Sequence, residues 1–146
     1  MSTSSVAALL LLLPGAALPP AAAAAQAPRR GIPAGTYTTT LTTADVTGRV
    51  KEVPTDSMVG TWTLMIDSAG HFTVQRNGHQ LVAGVARPRP GHRVYFDTTE
   101  TGPGACHTPA TYRYAVRGDS LTLRKVSDKC DPRIAVLTSH PHTRGS

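Results

Sequence analysis

Hydrophobic and polar residues alternate along most of this 146-residue chain. Segment 60–67 shows the pattern best, because Trp62, Leu64 and Ile66 fall on one face, whereas Thr61, Thr63 and Asp67 fall on the other. A period of two predicts a strand with one buried face. Almost no stretch repeats its hydrophobic residues at the helical period. The sequence therefore predicts an all-β fold.

Similar segments recur along the chain and predict about eight strands. Many short, regularly spaced strands are typical of an antiparallel sandwich or an up-and-down barrel. Closure into a barrel is favoured because it removes exposed strand edges. Asn77-Gly78 is the strongest hairpin signal, since both residues tolerate the positive φ of a tight turn. The predicted strands cover residues 35–43, 61–67, 71–76, 80–86, 92–98, 111–117, 120–126 and 133–139.

Residues 44–59 form a connection that is too long for a hairpin loop. Val46, Val50 and Val53 are spaced at i, i+4 and i+7, which would place them on one face of a short helix. Gly48 and the β-branched valines lower the helix propensity. The sequence leaves a short helical lid and an irregular loop equally open.

The N-terminus has the composition of a secretory signal peptide. Val6 to Leu13 is an apolar run of the usual length, and Ala23-Ala24-Ala25 before Gln26 supplies small residues for cleavage. The five residues that precede Val6 contain no basic residue, which is atypical. A membrane-spanning helix would need about 20 apolar residues, and prolines interrupt this run. We expect cleavage after residue 25 and export to the extracellular space or the cell envelope.

The chain that remains after cleavage has the size of one domain. Its first residues, 26–34, are rich in proline and arginine and predict a flexible lead-in. We expect a single barrel domain over residues 35–142 and a tail over residues 143–146. We also expect the protein to be a monomer.

The two cysteines fit an exported protein. Cys106 and Cys130 lie in separate turn-rich segments, and oxidising compartments favour their pairing. The alternative, two thiols that bind a metal, lacks a C-x-x-C spacing and a second pair of ligands. The sequence predicts a disulfide.

The chain is basic, with a formal net charge of +6 and twelve arginines against three lysines. A nucleic-acid reader would show a basic stripe with interleaved aromatic residues or a recognisable module. The basic residues are instead scattered along the sequence. We therefore predict no nucleic-acid partner.

Candidate residues for metal binding or catalysis are few. His140 and His142 are the best histidine pair, but zinc needs three or four ligands. The aspartates fall at strand ends, where they are favoured in turns. No nucleophile elbow and no phosphate-binding glycine loop is present. We predict no metal, no cofactor and no enzymatic activity.

The triplet Gly60-Thr61-Trp62, the eight-strand pattern and the one-domain exported size together resemble the calycins. That superfamily contains the lipocalins and the fatty-acid-binding proteins, and the chain is most similar to small secreted bacterial lipocalin-like proteins. The resemblance implies an antiparallel up-and-down barrel of about eight strands. It also implies a barrel-closing pair, Trp62 under Arg133 from the last strand. An alternative start of the barrel is Gly35-Thr36-Tyr37, which would put residues 44–59 in the place of a helical lid.

Such a barrel implies a binding protein for a small hydrophobic or amphipathic ligand. Small inward residues such as Ala83 would leave room for it, although eight-stranded barrels can also be filled by side chains. Two other functions remain open: an exported protease inhibitor that uses residues 26–35 as an extended trunk, and an envelope-surface interaction module. The predicted ligand-binding residues are Trp62, Leu64, Phe72, Val74, Tyr112 and Tyr114.

Overall fold

Eight antiparallel strands form a closed up-and-down barrel, so the predicted all-β barrel is confirmed. The computed structural model describes residues 31–51, 53–101 and 106–145, and the predicted leader and the start of the lead-in lie outside these ranges. The strands are β1 (Gly35–Leu41), β2 (Gly60–Ile66), β3 (His71–Arg76), β4 (His79–Arg89), β5 (Arg93–Thr101), β6 (Ala110–Arg117), β7 (Ser120–Ser127) and β8 (His142–Arg144).

The long connection between β1 and β2 contains two short helical segments. Helix α1 spans Thr43–Val46, and a 3₁₀ helix spans Thr55–Ser57. Val46 and Val50 are buried. The connection is thus neither one helical lid nor wholly irregular, because its valines pack against the barrel while Gly48 adopts a positive φ that ends the helical turn.

The strand predicted over residues 133–139 is wrong, since helix α2 spans Asp131–Thr138. Pro132 lies in its first turn, where the fixed φ of proline suits a helix. The helix buries Ala135, Val136 and Leu137, three consecutive residues that cannot share one face of a strand. The prediction of a strand followed from the high strand propensity of its β-branched residues Ile134, Val136 and Thr138.

The closing strand of the barrel is β8, and two of its three residues lie in the predicted tail over residues 143–146. Tyr37 of β1 pairs with Arg144, and Leu121 of β7 pairs with His142. The barrel domain therefore extends to Arg144. Because β8 bonds to both neighbours, three residues are enough to close the sheet.

One end of the barrel, here called the closed end, carries the β2–β3, β4–β5 and β6–β7 turns and residues 31–34. The Tyr37 hydroxyl donates a hydrogen bond to the Pro33 carbonyl at 2.7 Å. The Arg144 guanidinium lies 6.0 Å from the centre of the Tyr37 ring and donates to the Ala34 carbonyl. Gly35-Thr36-Tyr37 therefore opens the first barrel strand, and Gly60 opens the second.

An aromatic cluster fills the middle of the barrel. Phe72 packs edge-on against Phe96 with ring centres 5.0 Å apart, and Phe96 packs against Tyr112 at 6.0 Å. The small inward residue beside this cluster is Gly84, not Ala83. Ala83 pairs with an outward-facing threonine, whereas a Cβ on Gly84 would lie 2.7 Å from the Phe72 ring.

Candidate functional site

A cavity of about 230 Å³ lies at the other end of the barrel, here called the open end. This end carries the β1–β2 connection, the Asn77-Gly78 turn, the β5–β6 loop and α2. Most of the lining is apolar, as in binding sites for small organic molecules. The lining residues are Val53, Ser57, Met58, Trp62, Leu64, Phe72, Val74, Arg76, Leu81, Val82, Phe96, Thr98, Cys106, Pro132, Arg133, Val136 and Leu137.

Trp62, the only tryptophan, forms part of the cavity wall. Its side chain is 6% exposed, and its indole N–H donates to the Met58 carbonyl at 2.8 Å. Met58 directly follows the 3₁₀ helix. The hydrogen bond therefore holds the β1–β2 connection against the cavity mouth.

Arg76 supplies a positive charge at the cavity. It ends β3 and lines the cavity wall. Its Nε donates to the Val59 carbonyl at 3.2 Å, and its Nη2 donates to the Asp56 carbonyl at 2.6 Å. Within the described ranges, no carboxylate oxygen lies within 4.0 Å of its nitrogens. Neutral carbonyls hold this guanidinium in place without cancelling its charge.

The charge of Arg133, the other arginine at the cavity, is compensated. Its Nε and Nη2 both donate to the Asp128 carboxylate at 2.6 Å, and its Nη1 donates to the Thr108 carbonyl at 2.7 Å. The same carboxylate accepts hydrogen bonds from the Tyr112 hydroxyl and from the Cys130 backbone N–H. This network joins β6, the β5–β6 loop and the start of α2.

The pKa values in this network follow from burial and pairing. Burial, and then the Asp128 charge, raise the pKa of the Tyr112 hydroxyl far above its ordinary value, so it is a donor at all physiological pH values. Burial alone would raise the pKa of Asp128, but hydrogen bonds from Arg133 and Tyr112 lower it. Both members of the ion pair therefore stay charged.

Four of the six predicted ligand-binding residues line the cavity: Trp62, Leu64, Phe72 and Val74. The other two do not. The Tyr112 hydroxyl points to Asp128, and Tyr114 packs edge-on against His92 in a turn at the closed end.

The predicted barrel-closing residues line the same cavity but have different hydrogen-bond partners. Trp62 donates to Met58, and Arg133 belongs to α2 and bonds to Asp128. At the closed end, the arginine that packs over an aromatic ring is Arg144, and the ring is Tyr37.

Arg76 and the α2 residues Pro132, Val136 and Leu137 line the cavity but were not predicted from the sequence. A signal for Arg76 was present, because it follows the inward residues Phe72 and Val74 at the same period of two. A few placed polar or charged groups in an otherwise apolar pocket are typical of a ligand site. Val136 and Leu137 could not be placed while their segment was assigned to a strand.

The predicted disulfide between Cys106 and Cys130 is present, and Cys106 lines the cavity. His140 and His142 do not form a pair. The His140 Nε2 lies 2.8 Å from a carboxylate oxygen of Asp45, whereas His142 is 1% exposed with no hydrogen-bond partner on either ring nitrogen. Among the described residues, no three histidine, cysteine or acidic side chains are grouped as metal ligands would be.

Comparison with protein-family models, with curated proteins and with solved structures finds no match to this chain. In the part of the chain that the structure describes, no helix is long and apolar enough to cross a membrane.

Proposed function

We propose that this protein binds a small amphipathic molecule in the cavity at the open end, with the apolar body inside the barrel and an anionic end at Arg76. The observation that supports the proposal is the combination of an apolar cavity with a guanidinium on its wall that no carboxylate of the described residues neutralises. Binding would proceed by burial rather than by a reaction.

The cavity volume limits the size of the ligand. A cavity of about 150 Å³ is enough to hold benzene, and drug-sized ligands occupy about 300 Å³ or more. At about 230 Å³, the cavity suits a molecule with one or two rings or a short acyl chain. A long lipid would have to leave much of its chain outside the barrel.

The charge of Arg76 indicates the polar group of the ligand. A guanidinium binds a carboxylate or a phosphate through charge-assisted hydrogen bonds, which are about twice as strong as neutral ones. Since two backbone carbonyls already orient the side chain, little further conformational entropy is lost when an anion binds.

The proposal can be tested by titrating the protein with small aromatic and short-chain carboxylates while the emission of Trp62 is recorded. Each acid is paired with the alcohol of the same carbon skeleton. We expect the acids to change the emission and to be retained in native mass spectrometry, and the alcohols to bind at least about tenfold more weakly. Arg76→Gln should remove the difference between acid and alcohol.

A cavity-filling variant tests the location. Val82→Phe adds a ring to the cavity wall, so it should abolish binding. Val85→Phe is the control on the same strand, because Val85 pairs with the exposed His71 and does not line the cavity. Binding that survives Val82→Phe, or a panel in which no compound is retained, would contradict the proposal.

The disulfide is compatible with the expected extracellular or envelope location, since such bonds persist in oxidising compartments. The described contacts do not favour the protease-inhibitor alternative. Residues 31–34 pack on the closed end, where Ile32 is 8% exposed, and do not project from the barrel.

A further inference from the structure

Four arginines that are scattered in the sequence form a row on the outside of the barrel. Arg89 pairs with Arg93 across β4 and β5, Arg93 pairs with Arg113 across β5 and β6, and Arg113 pairs with Arg124 across β6 and β7. All four residues are exposed. Because neighbouring strands are about 4.8 Å apart, the row spans about 14 Å at the backbone.

This row, called the arginine row below, is not neutralised from within the described chain. No carboxylate oxygen among the described residues lies within 4.0 Å of its nitrogens, and Asp97, the acid on the same sheet face, is paired with Arg87 at 3.6 Å. Like charges directly opposite each other on neighbouring strands destabilise a sheet. The three cross-strand arginine pairs therefore destabilise the folded barrel, and a bound anionic partner would remove this repulsion.

The shape of the row selects among anionic partners. On a closed barrel each strand faces a new direction, so the four side chains spread over a curved surface. A flexible chain can follow that curve more closely than a planar bilayer or a rigid duplex.

The chemistry of the same face disfavours single-stranded nucleic acid, which binds by stacking its bases on exposed aromatic rings. The outer face of β4–β7 offers one such ring in the described structure, Tyr95, and the Arg89 guanidinium lies 5.0 Å from its centre. No other residue two positions along a strand from the row carries an aromatic ring; these residues include Arg87, Thr111, Ala115, Thr122 and Val126.

We propose that the arginine row is a docking surface for a flexible acidic polysaccharide, whose repeated carboxylate or sulfate groups pair with successive guanidinium groups. Arginine suits this role because its planar fork bonds two oxygens of one anionic group. The surface lies on the outer wall of the barrel and does not depend on the cavity or on the function proposed for it.

Heparin, a carboxylated and sulfated polysaccharide, is a suitable probe. The test variant is Arg93→Gln with Arg113→Gln, which removes the two central charges of the row. The control is Arg49→Gln with Lys51→Gln, which removes the same charge from the exposed β1–β2 connection, next to the strand opposite β5 in the barrel. Affinity is measured by titration calorimetry at a salt concentration of about 0.15 M.

We expect the row variant to bind heparin at least about tenfold more weakly, with a shallower salt dependence, and the control to change by less than about twofold. The melting temperature of the row variant should equal or exceed that of the unmodified protein, since repulsion has been removed. Equal losses in both variants, or no binding by the unmodified protein, would overturn the proposal. Tighter binding of oligothymidylate or phosphatidylglycerol vesicles through the same arginines would also overturn it.

Discussion

Arg133 and Asp128 form a bidentate ion pair at the open end of the barrel, with the Nε–Oδ2 and Nη2–Oδ1 distances both 2.6 Å. The carboxylate side chain is fully buried, and the guanidinium side chain is 13% exposed. Because Tyr112 and the Cys130 N–H bond to the same carboxylate, the pair fixes the start of α2 to the barrel wall. That helix in turn contributes the pocket wall that the sequence did not predict.

Asp128→Asn should destabilise the protein by about 3–5 kcal/mol, since it leaves the Arg133 guanidinium buried without a counter-charge. Urea unfolding followed by Trp62 emission measures the change. Asp119→Asn, in an exposed turn, is the control and should change stability by less than about 0.5 kcal/mol. A loss of similar size in both variants would show that the ion pair is not what anchors α2.

Stability should fall on acidification because His142 is buried in its neutral form. Burial, with a smaller contribution from nearby His140, lowers its pKa to about 4. The unfolded chain binds a proton below about pH 6.5, and the folded chain does so only below about pH 4. The unfolded state therefore gains about 1.4 kcal/mol for each pH unit between these values.

Urea unfolding at several pH values between about 7 and 4.5 tests this prediction. His142→Leu should make the free energy of unfolding nearly independent of pH in this range. It should also stabilise the protein at neutral pH, because it removes two unsatisfied ring nitrogens. His79→Leu changes an exposed histidine and should leave the pH dependence of the unfolding free energy unchanged. If the unfolding free energy of His142→Leu still falls on acidification, other groups cause the pH dependence.

Reduction of the disulfide should cost about 3–4 kcal/mol, because Cys106 and Cys130 are separated by 24 residues and the bond restricts the unfolded chain. The free energy of unfolding of the Cys106→Ala, Cys130→Ala double variant measures this loss. Unfolding of the unmodified protein in excess dithiothreitol should give a similar value. A difference below about 1 kcal/mol would mean that Asp128 and Arg133 hold the loop and helix together without help.

Gly84→Ala should destabilise the protein by about 3 kcal/mol through overpacking. The added Cβ would lie 2.2 Å from the Asp97 carbonyl oxygen and 2.7 Å from the Phe72 ring. Ala83→Ser, one residue away on the outer face, is the matched control and should be nearly neutral. Equal thermal melting temperatures for Gly84→Ala and the unmodified protein would show that the barrel wall adjusts freely at this point.

Several features were accessible from local sequence alone. Alternation placed Trp62, Leu64 and Phe72 inside, because the side-chain period of a strand is a property of its backbone. Asn77-Gly78 forms the expected turn with both φ angles positive, since few other residue pairs tolerate that geometry. The cysteine pairing followed from residue chemistry and from the compartment that the leader composition predicts.

Other features depend on contacts between segments that are distant in sequence. Residues 131–138 contain β-branched residues that suit a strand, yet the open end of the barrel offers a surface that a helix covers better. Strand β8 is three residues long and exists because β1 and β7 each leave an unpaired edge beside it. No local pattern encodes either outcome.

The sequence by itself determined the alternating strands β1 to β7, the Asn77-Gly78 hairpin and the disulfide, because each follows from local backbone geometry or residue chemistry. The tertiary structure alone decided which side chains meet. Strand register brought Arg93 opposite Arg113, and packing turned the Tyr112 hydroxyl to Asp128 and away from the cavity. Such pairings are set by the closure of the whole sheet, which brings residues together whatever their distance along the chain.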